Sequence, residues 1–369
     1  MALNTVGVVA TAQTSLRAAW GDAQHVDLIS SVVGSVFKGT GLTLDDVDFV
    51  IDSGSDVLDG RSISNCGFLG ALGAHHKEEA RVEEDGLWGA LYGVNKIRSG
   101  ASRIGLIVAY SKPSESNVDL YWSSQLEPFY QRPVGFGQKA ANGLMAQDYL
   151  ARNGISQQDL AELVARRWAA AAASGRVDIA DLPDAAAVLA AAEAASPLTA
   201  LMMARPVDGA VAVLIAEEEI VRRVNRQPVF ITGMGTSMGT HSYADRAGGQ
   251  IAAVAAAAAM AYRAAGWGAG EADVAEVSAC SVVGELLAIE GLGLAEPGKG
   301  LAATKSGKVT INASGGALPA DPIMATGLVR LVEATRQLTR SGRGAPQRAI
   351  VHGASGIAMQ NNCVFTLEV

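Results

Sequence analysis

The chain repeats itself at long range. GLTLDDVDFVIDS begins at Gly41 and GAGEADVAEVSAC at Gly268. Each reads as a glycine, a helix end, Asp-Val, and then a strand that runs into a polar loop. VVATAQTS near the start and FITGMGTS after Pro228 form a second such pair. Both pairs are offset by about 220 to 230 residues, which indicates a duplicated unit. A chain of 369 residues with 49% apolar and 18% charged residues can bury two cores of ordinary size. The expected halves are 1–226 and 227–369, with the seam in Glu217 to Gln227. An insertion over about 111–206 would add surface loops (Ser114 to Gly137) and a helical pair to the first half.

Short apolar runs alternate with amphipathic segments. Val6 to Ala10, Val47 to Ile51, Ile104 to Ala109, Val211 to Ile215, Val229 to Thr232, Val274 to Val277, Ala349 to His352 and Val364 to Leu367 read as buried strands. Trp88 to Ile97, Gln157 to Ala172, Ile251 to Ala265 and Ile323 to Leu338 read as helices. This alternation predicts an α/β fold with layered sheets. The net charge of −8 argues against nucleic acid as a partner. Cys66, Cys280 and Cys363 are far apart and show no metal-type spacing, which fits a reducing, cytoplasmic setting. The start lacks a basic n-region and reads as a first strand. The longest apolar stretch, Ile251 to Tyr262, is too short to span a bilayer.

The segment TINASGGALPADPIMATGL, Thr310 to Leu328, resembles the thiolase signature of Asn, Gly-Gly, Gly-His-Pro and Gly-Ala-Thr-Gly. Asn312, Gly315, Gly316, Pro322, Ala325, Thr326 and Gly327 fall in register. AEVSACSVVGELLAIEGLGL, VEEDGLWGALYGVNKIRSG and VHGASGIAMQ extend the likeness to the sterol-carrier or lipid-transfer branch of the superfamily. The resemblance implies a thiolase fold: two duplicated βαβαβαββ halves in a five-layer α-β-α-β-α sandwich. It also implies carbon–carbon bond formation or cleavage on a coenzyme A thioester, with no metal.

The departures from that pattern carry the functional reading. Thiolase chemistry needs a thiolate, yet VEEDGLWG set against the family pattern puts Gly86 at the cysteine position. A one-residue shift would put Asp85 or Leu87 there, and neither restores thioester exchange. Ser278 and Asp321 stand where histidines are usual. Asp321 can act as acid or base if burial raises its pKa, whereas Ser278 can only donate or accept a hydrogen bond.

Cys280, beside Ser278, reads as a small buried residue, with a compensating thiol as the alternative. Cys66, placed in an apolar Gly-rich helix, and Cys363 read as packing residues. His352, at the pocket end of the last loop, is a candidate pocket residue, set against a satisfied strand-end histidine; the backbone of Gly353 and Ser355 there, and Gly315 and Gly316 beneath the pocket, are candidate cofactor-binding positions offering N–H donors. Tyr243, near His241, is a candidate acid or base, set against an ordinary loop tyrosine. Arg132, Arg246 and Lys305 are candidate phosphate contacts. Trp88 is expected to fill part of the pocket beside Gly86. GMGTSMG is too imperfect, and lacks the acidic ribose partner, to be a dinucleotide loop.

Two functions follow from the resemblance. One is a non-catalytic thiolase-like subunit of a heteromeric acyl-CoA complex, paired as a homodimer or with a thiolase-like paralogue. The other is a cysteine-independent retro-aldolase acting on a β-hydroxyacyl-CoA, with Asn312, Asp321, Ser278, His352 and Tyr243 as candidates. A small zinc-ribbon and OB-fold protein is a plausible partner for either.

Overall fold

The structure is a computed structural model that describes residues 4–246, 251–340, 342 and 344–369. Ten strands form one hydrogen-bonded sheet: β1 (Val6–Gln13), β2 (Phe49–Ser53), β3 (Glu78–Val82), β4 (Ile104–Ser111), β5 (Gly209–Glu217), β6 (Val229–Met238), β7 (Val274–Val277), β8 (Thr310–Ile311), β9 (Arg348–Ser355) and β10 (Asn361–Glu368). Their spatial order is β8-β7-β9-β10-β6-β1-β5-β4-β2-β3. Read outward from the centre, β1-β5-β4-β2-β3 and β6-β10-β9-β7-β8 are the same arrangement with each strand number raised by five. The two sets meet where Gly7 pairs with Phe230 and Val8 with Val229, antiparallel about a local two-fold.

The principal helices are α1 (His25–Val36), α2 (Gly86–Arg98), α3 (Gln138–Asn153), α4 (Gln157–Ser174), α5 (Ala252–Ala265), α6 (Val282–Gly291) and α7 (Thr326–Leu338). α2 and α7 follow equivalent strands, β3 and β8. Together they share one apolar cluster with the inward faces of both half-sheets, including Leu87, Val94, Ile107, Leu328, Leu331 and Val351. α1 covers the outer face of the first half-sheet, and α5 and α6 cover that of the second. The layers run helix, sheet, helix pair, sheet, helix. This is the α-β-α-β-α order of the thiolase fold, with the two sheet layers joined edge to edge through β1 and β6.

The first sequence echo is real, but its register in space is shifted. Gly41 and Gly266 both adopt the left-handed conformation, with φ of 71° and 77°. Each precedes a one-turn helix, Leu44–Asp46 and Ala269–Glu271. The following Asp48 accepts hydrogen bonds from the N–H groups of Arg103 and Ile104. Asp273 does the same for Gln347 and Arg348. Gly41 therefore corresponds to Gly266, not Gly268, because the aspartate that pins the next strand fixes the register. The second echo is shifted by one residue: the bulged Val9 of β1 corresponds to the bulged Thr232 of β6, so Val8 matches Ile231 and not Phe230.

Helix α2 lies unusually close to its sheet. A Cβ on Gly89 would fall 2.5 Å from Ser53 Oγ, and one on Gly93 would fall 2.6 Å from Ile107 Cδ1. Real side chains never approach so closely, so glycines at these helical spacings set the layer distance. The insertion contributes α3 and α4, whose apolar faces pack on α6 through Tyr149, Leu160, Leu163, Val164 and Leu286. Ser156 caps α4 by accepting from the Asp159 N–H, a serine–aspartate capping box. Cys66 departs from its expected place: it lies exposed in the 3₁₀ turn Ser64–Gly67 and packs no helix. Cys363 is buried in β10.

Candidate active site

At the centre of the molecule α2 and α7 point their N-termini toward one another, and one carboxylate serves both. Asp85 caps α2: its Oδ1 accepts from the Leu87 N–H at 2.9 Å. Its Oδ2 accepts from the Gly327 N–H of α7 at 2.7 Å. The side chain has no exposed surface. Helix N-termini favour a negative charge, but loss of water dominates and pushes the Asp85 carboxyl up to about 8, the two backbone donors opposing the shift. Gly327 has to be glycine here, because a Cβ would sit 2.2 Å from Asp85 Oδ1.

Gly86, expected from the sequence at the nucleophile position, is sealed in. A Cβ would lie 2.6 Å from the Ala109 Cβ and 2.8 Å from the Leu328 Cβ. Its N–H is spent on the Met324 carbonyl at 2.8 Å. The chain thus lacks both the sulfur and the space that a cysteine side chain would occupy.

A small cavity survives nearby, lined by Tyr121, Trp122, Ser278, Cys280, Asp321 and Ser355 among others. Its volume is about 10 Å³, room for roughly one water molecule. Tyr121 and Trp122 fill it from the short helix Val118–Ser124, and their rings meet edge to face at 4.8 Å. Trp88, expected to fill the pocket, packs instead against the central apolar cluster. The Tyr-Trp pair in the insertion had no signature that marked it as pocket-facing.

Three expected site residues, Ser278, Asp321 and Ser355, meet at this cavity. Asp321 is half-buried and hydrogen-bonded to the Thr326 hydroxyl. Desolvation pushes its carboxyl up to about 6, against the Thr326 bond and the Arg330 charge. The Ser355 hydroxyl is buried without a partner. Cys280 accepts from Gln138 Nε2 at 2.9 Å. Burial and the neighbouring Asp321 raise its thiol pKa, which opposes a compensating thiolate.

The other expected residues lie elsewhere. Asn312 is fully buried in the left-handed conformation, and its Oδ1 accepts from the Val277 N–H at 2.6 Å. It anchors the signature loop to β7. Gly315 and Gly316 are packed away from the cavity. Gly315 leaves no room for a Cβ against Arg167 O and Ala171 in α4. Their N–H groups are taken by Asn312 O and Ser314 Oγ, so neither glycine offers a donor to a ligand, contrary to expectation. Gly353 packs against Leu87. His352 is fully buried in β9, its Nε2 3.0 Å from Asn362 Oδ1, and burial lowers its pKa to about 4. It does not line the cavity.

Below the signature loop a buried cluster holds α7 in place. Glu276 on β7 accepts from Arg330 Nη1 at 2.9 Å, Ser314 Oγ at 2.6 Å and Gln337 Nε2 at 2.8 Å. The sequence reading missed this set, since Glu276 and Arg330 are 54 positions apart.

Tyr243 lines a second, larger cavity, of about 730 Å³. Its hydroxyl donates to the Ala141 carbonyl at 3.1 Å, and its ring leans on Phe136. It is half-buried, unlike a free loop tyrosine. Arg246 lines the same cavity, while Arg132 and Lys305 are exposed on other elements.

The fold and the signature loop define a thiolase-like protein. Comparison with known proteins agrees. Residues 235–368 match the family described as thiolase C-terminal domain-like. The chain is 32% identical to an acetyl-CoA acetyltransferase of Methanothermobacter thermautotrophicus, over 46% of this chain and 45% of that one. It is 28% identical to the benzoylsuccinyl-CoA thiolase subunit BbsB of Thauera aromatica, over 58% and 59%. It is 33% identical to sterol carrier protein 2 of Oryctolagus cuniculus, over 45% and 32%. The match thus spans between 32% and 59% of each of these relatives. The solved structure titled Ltp2-ChsH2(DUF35) aldolase superposes with a TM-score of 0.83 at 16% identity, covering 100% of this chain and 99% of that one. Over part of its sequence, and over its whole length in fold, the chain is similar to proteins of the thiolase superfamily, sterol carrier protein 2 among them.

Proposed function

We propose that this chain is a thiolase-like subunit of a heteromeric complex that makes or breaks carbon–carbon bonds in acyl-CoA, and that it forms no acyl-enzyme itself. The observation that carries this reading is the plugged nucleophile position. Gly86 has no space for a side chain, and the Asp85 carboxyl group occupies the junction of the two central helix N-termini. An acyl group has nothing to bond to there, and its oxyanion would meet N–H groups that are already taken.

Assembly is supported by the open edge of β3, which among the described residues pairs only with β2. An unpaired strand edge is a template for a second chain. The partner would be a second copy or a thiolase-like paralogue that retains the nucleophile, with a small zinc-ribbon and OB-fold protein as a further component. Two relatives point the same way by their names: one is a thiolase subunit, the other an aldolase named for two components. The test is to purify the natural complex, identify its subunits, and assay it and the isolated chain with acyl-CoA. An acyl adduct on the isolated chain, detected by mass spectrometry, refutes the reading.

A second reading is favoured by Asp321. With a pKa near 6, this carboxylate is mostly ionised at neutral pH and close to the optimum for a general base. In a retro-aldol cleavage it takes the proton of the β-hydroxyl. The Cα–Cβ bond then breaks, a carbonyl product leaves, and the electron pair passes into the thioester as an enolate, which is reprotonated at Cα. Ser278 and Ser355 line the same cavity as donors. Substrate would have to displace Tyr121 or Trp122. Release of an aldehyde or ketone from a β-hydroxyacyl-CoA, lost in Asp321→Asn with the fold intact, supports this reading. Equal turnover by the variant removes it.

A further inference from the structure

The backbone of Asp321 is pinned on both sides. Its N–H donates to the Arg205 carbonyl at 2.8 Å, and its own carbonyl accepts from the Val207 N–H at 3.1 Å. Pro206 and Asp321 face one another in an isolated parallel bridge. The end of the insertion thus clamps the signature loop here. With the backbone fixed, only the side-chain torsions remain to decide where the two carboxyl oxygens lie.

The Thr326 hydroxyl settles them by donating to Asp321 Oδ1. Thr326 is the first residue of α7 and is buried. At that position no preceding turn of the helix offers a carbonyl to compete for the hydroxyl. Threonine is also stiff at χ1, so the donor has a fixed direction. Among the described residues no hydrogen bond is made to Asp321 Oδ2, and Asp321 lines the small cavity together with Ser278. The two oxygens are therefore unequal: one is bound to Thr326, and the other has no partner in the protein.

The charged and titratable groups that face Asp321, among the described residues, are Arg330 on α7, Asp85 at the start of α2, Cys280 before α6 and Tyr121 on the short helix Val118–Ser124. Burial pushes the Asp321 carboxyl up, and the Thr326 bond, followed by the Arg330 charge, opposes it. Arg330 is already committed to Glu276 at 2.9 Å, and Asp85, a second acid, offers no stabilisation. Thr326 is the direct donor that favours the ionised carboxylate.

We propose that Thr326 is the positioning residue of Asp321: its hydroxyl holds Oδ1 and leaves Oδ2 as the oxygen that takes the proton of a substrate hydroxyl. This use of the bond rests on the retro-aldol reading, in which Asp321 is the base.

The first arm of the test needs no turnover. The stability difference between Asp321→Asn and its background, followed by urea unfolding against pH, levels off at the folded pKa of Asp321, about 6 in the parent. In the Thr326→Val background the levelling point should move up by about one to two pH units, the worth of one hydrogen bond to an ionised group. Thr326→Ser keeps the hydroxyl and should return it to the parental value. The second arm is cleavage of a β-hydroxyacyl-CoA by the full chain. The acid limb of its kcat/KM profile should move up by the same amount in Thr326→Val, with KM unchanged. A levelling point or an acid limb that Thr326→Val leaves in place overturns the proposal, whatever the stability of the variant. So does a levelling point that Thr326→Ser shares with Thr326→Val, because the hydroxyl is then not the group that acts. Absence of cleavage by the parent removes the retro-aldol reading and the proposal together, whereas an unmoved levelling point in a chain that does cleave removes the proposal alone.

Discussion

Gly327 and Asp85, 242 positions apart in sequence, are joined by a 2.7 Å hydrogen bond from the Gly327 N–H to Asp85 Oδ2. The bond couples the two halves at their centre. It gives two helices a shared cap.

Restoring the sulfur alone should fail. Gly86→Cys puts a Cβ within 2.6 Å of Ala109 and 2.8 Å of Leu328. Overpacking of a close-packed core costs about 1–3 kcal/mol. The variant should unfold at lower urea than the parent and show no mass increase after incubation with acetyl-CoA. A stable, acylated variant would contradict the sealed geometry.

Asp85→Ala should be more damaging than an ordinary lost cap. It orphans the N–H groups of Leu87 and Gly327 together, at about 1–3 kcal/mol for each buried donor. Urea unfolding should show a loss of several kcal/mol. A loss below about 1 kcal/mol, the scale of one surface cap, would show that the shared cap contributes little.

The pH dependence of stability has a definite sign at Asp321. Its folded pKa of about 6 stands above the ordinary value of 3.8, with burial as the main cause. The folded state therefore holds this proton more tightly than the unfolded chain, and the stabilisation is lost as pH rises from about 4 to about 6. Asp321→Asn removes that component. The variant should gain stability relative to the parent across this window and hold a constant difference above it. A difference that stays flat between pH 4 and pH 7 would rule out the shift.

Glu276 and Arg330 form a buried ion pair at 2.9 Å. Glu276→Gln should destabilise by about 3–5 kcal/mol, because it leaves a buried guanidinium without its counter-charge. The double substitution Glu276→Gln, Arg330→Met should recover part of that loss. If it is as unstable as the two single losses added, the pair is not the dominant interaction at this site.

Thiol reactivity should single out one cysteine. Cys66 is exposed, whereas Cys363 is buried and burial raises the thiol pKa of both Cys280 and Cys363. Iodoacetamide at neutral pH should add one group to the native chain, on Cys66. Rapid modification of Cys280 would reveal an activated thiol and revive a nucleophilic role for it.

The strand and helix cores of both halves were legible because buried runs and helical periodicity are local signals. Val274 to Val277 coincides with β7, and Gln157 to Ala172 falls within α4. The edge strand β3 escaped notice because EEARV is charged and only partly buried. Candidate site residues were harder to place. Asp321, Ser278 and Ser355 do meet at one cavity, but His352, three positions before Ser355, faces Asn362, because side chains alternate along a strand.

The sequence by itself determined that no sulfur stands at position 86, that the signature loop is present with its histidine replaced, and that the chain is built as a duplicated α/β unit. Those are properties of residue identity and spacing. Only the tertiary structure decided that position 86 has no room, that Asp85 bridges two helix ends, and that Tyr121 and Trp122 fill the small cavity where Ser278, Asp321 and Ser355 meet. Each of these depends on atoms far apart in the chain brought within about 3–4 Å, where packing and desolvation act and where no local pattern can show them.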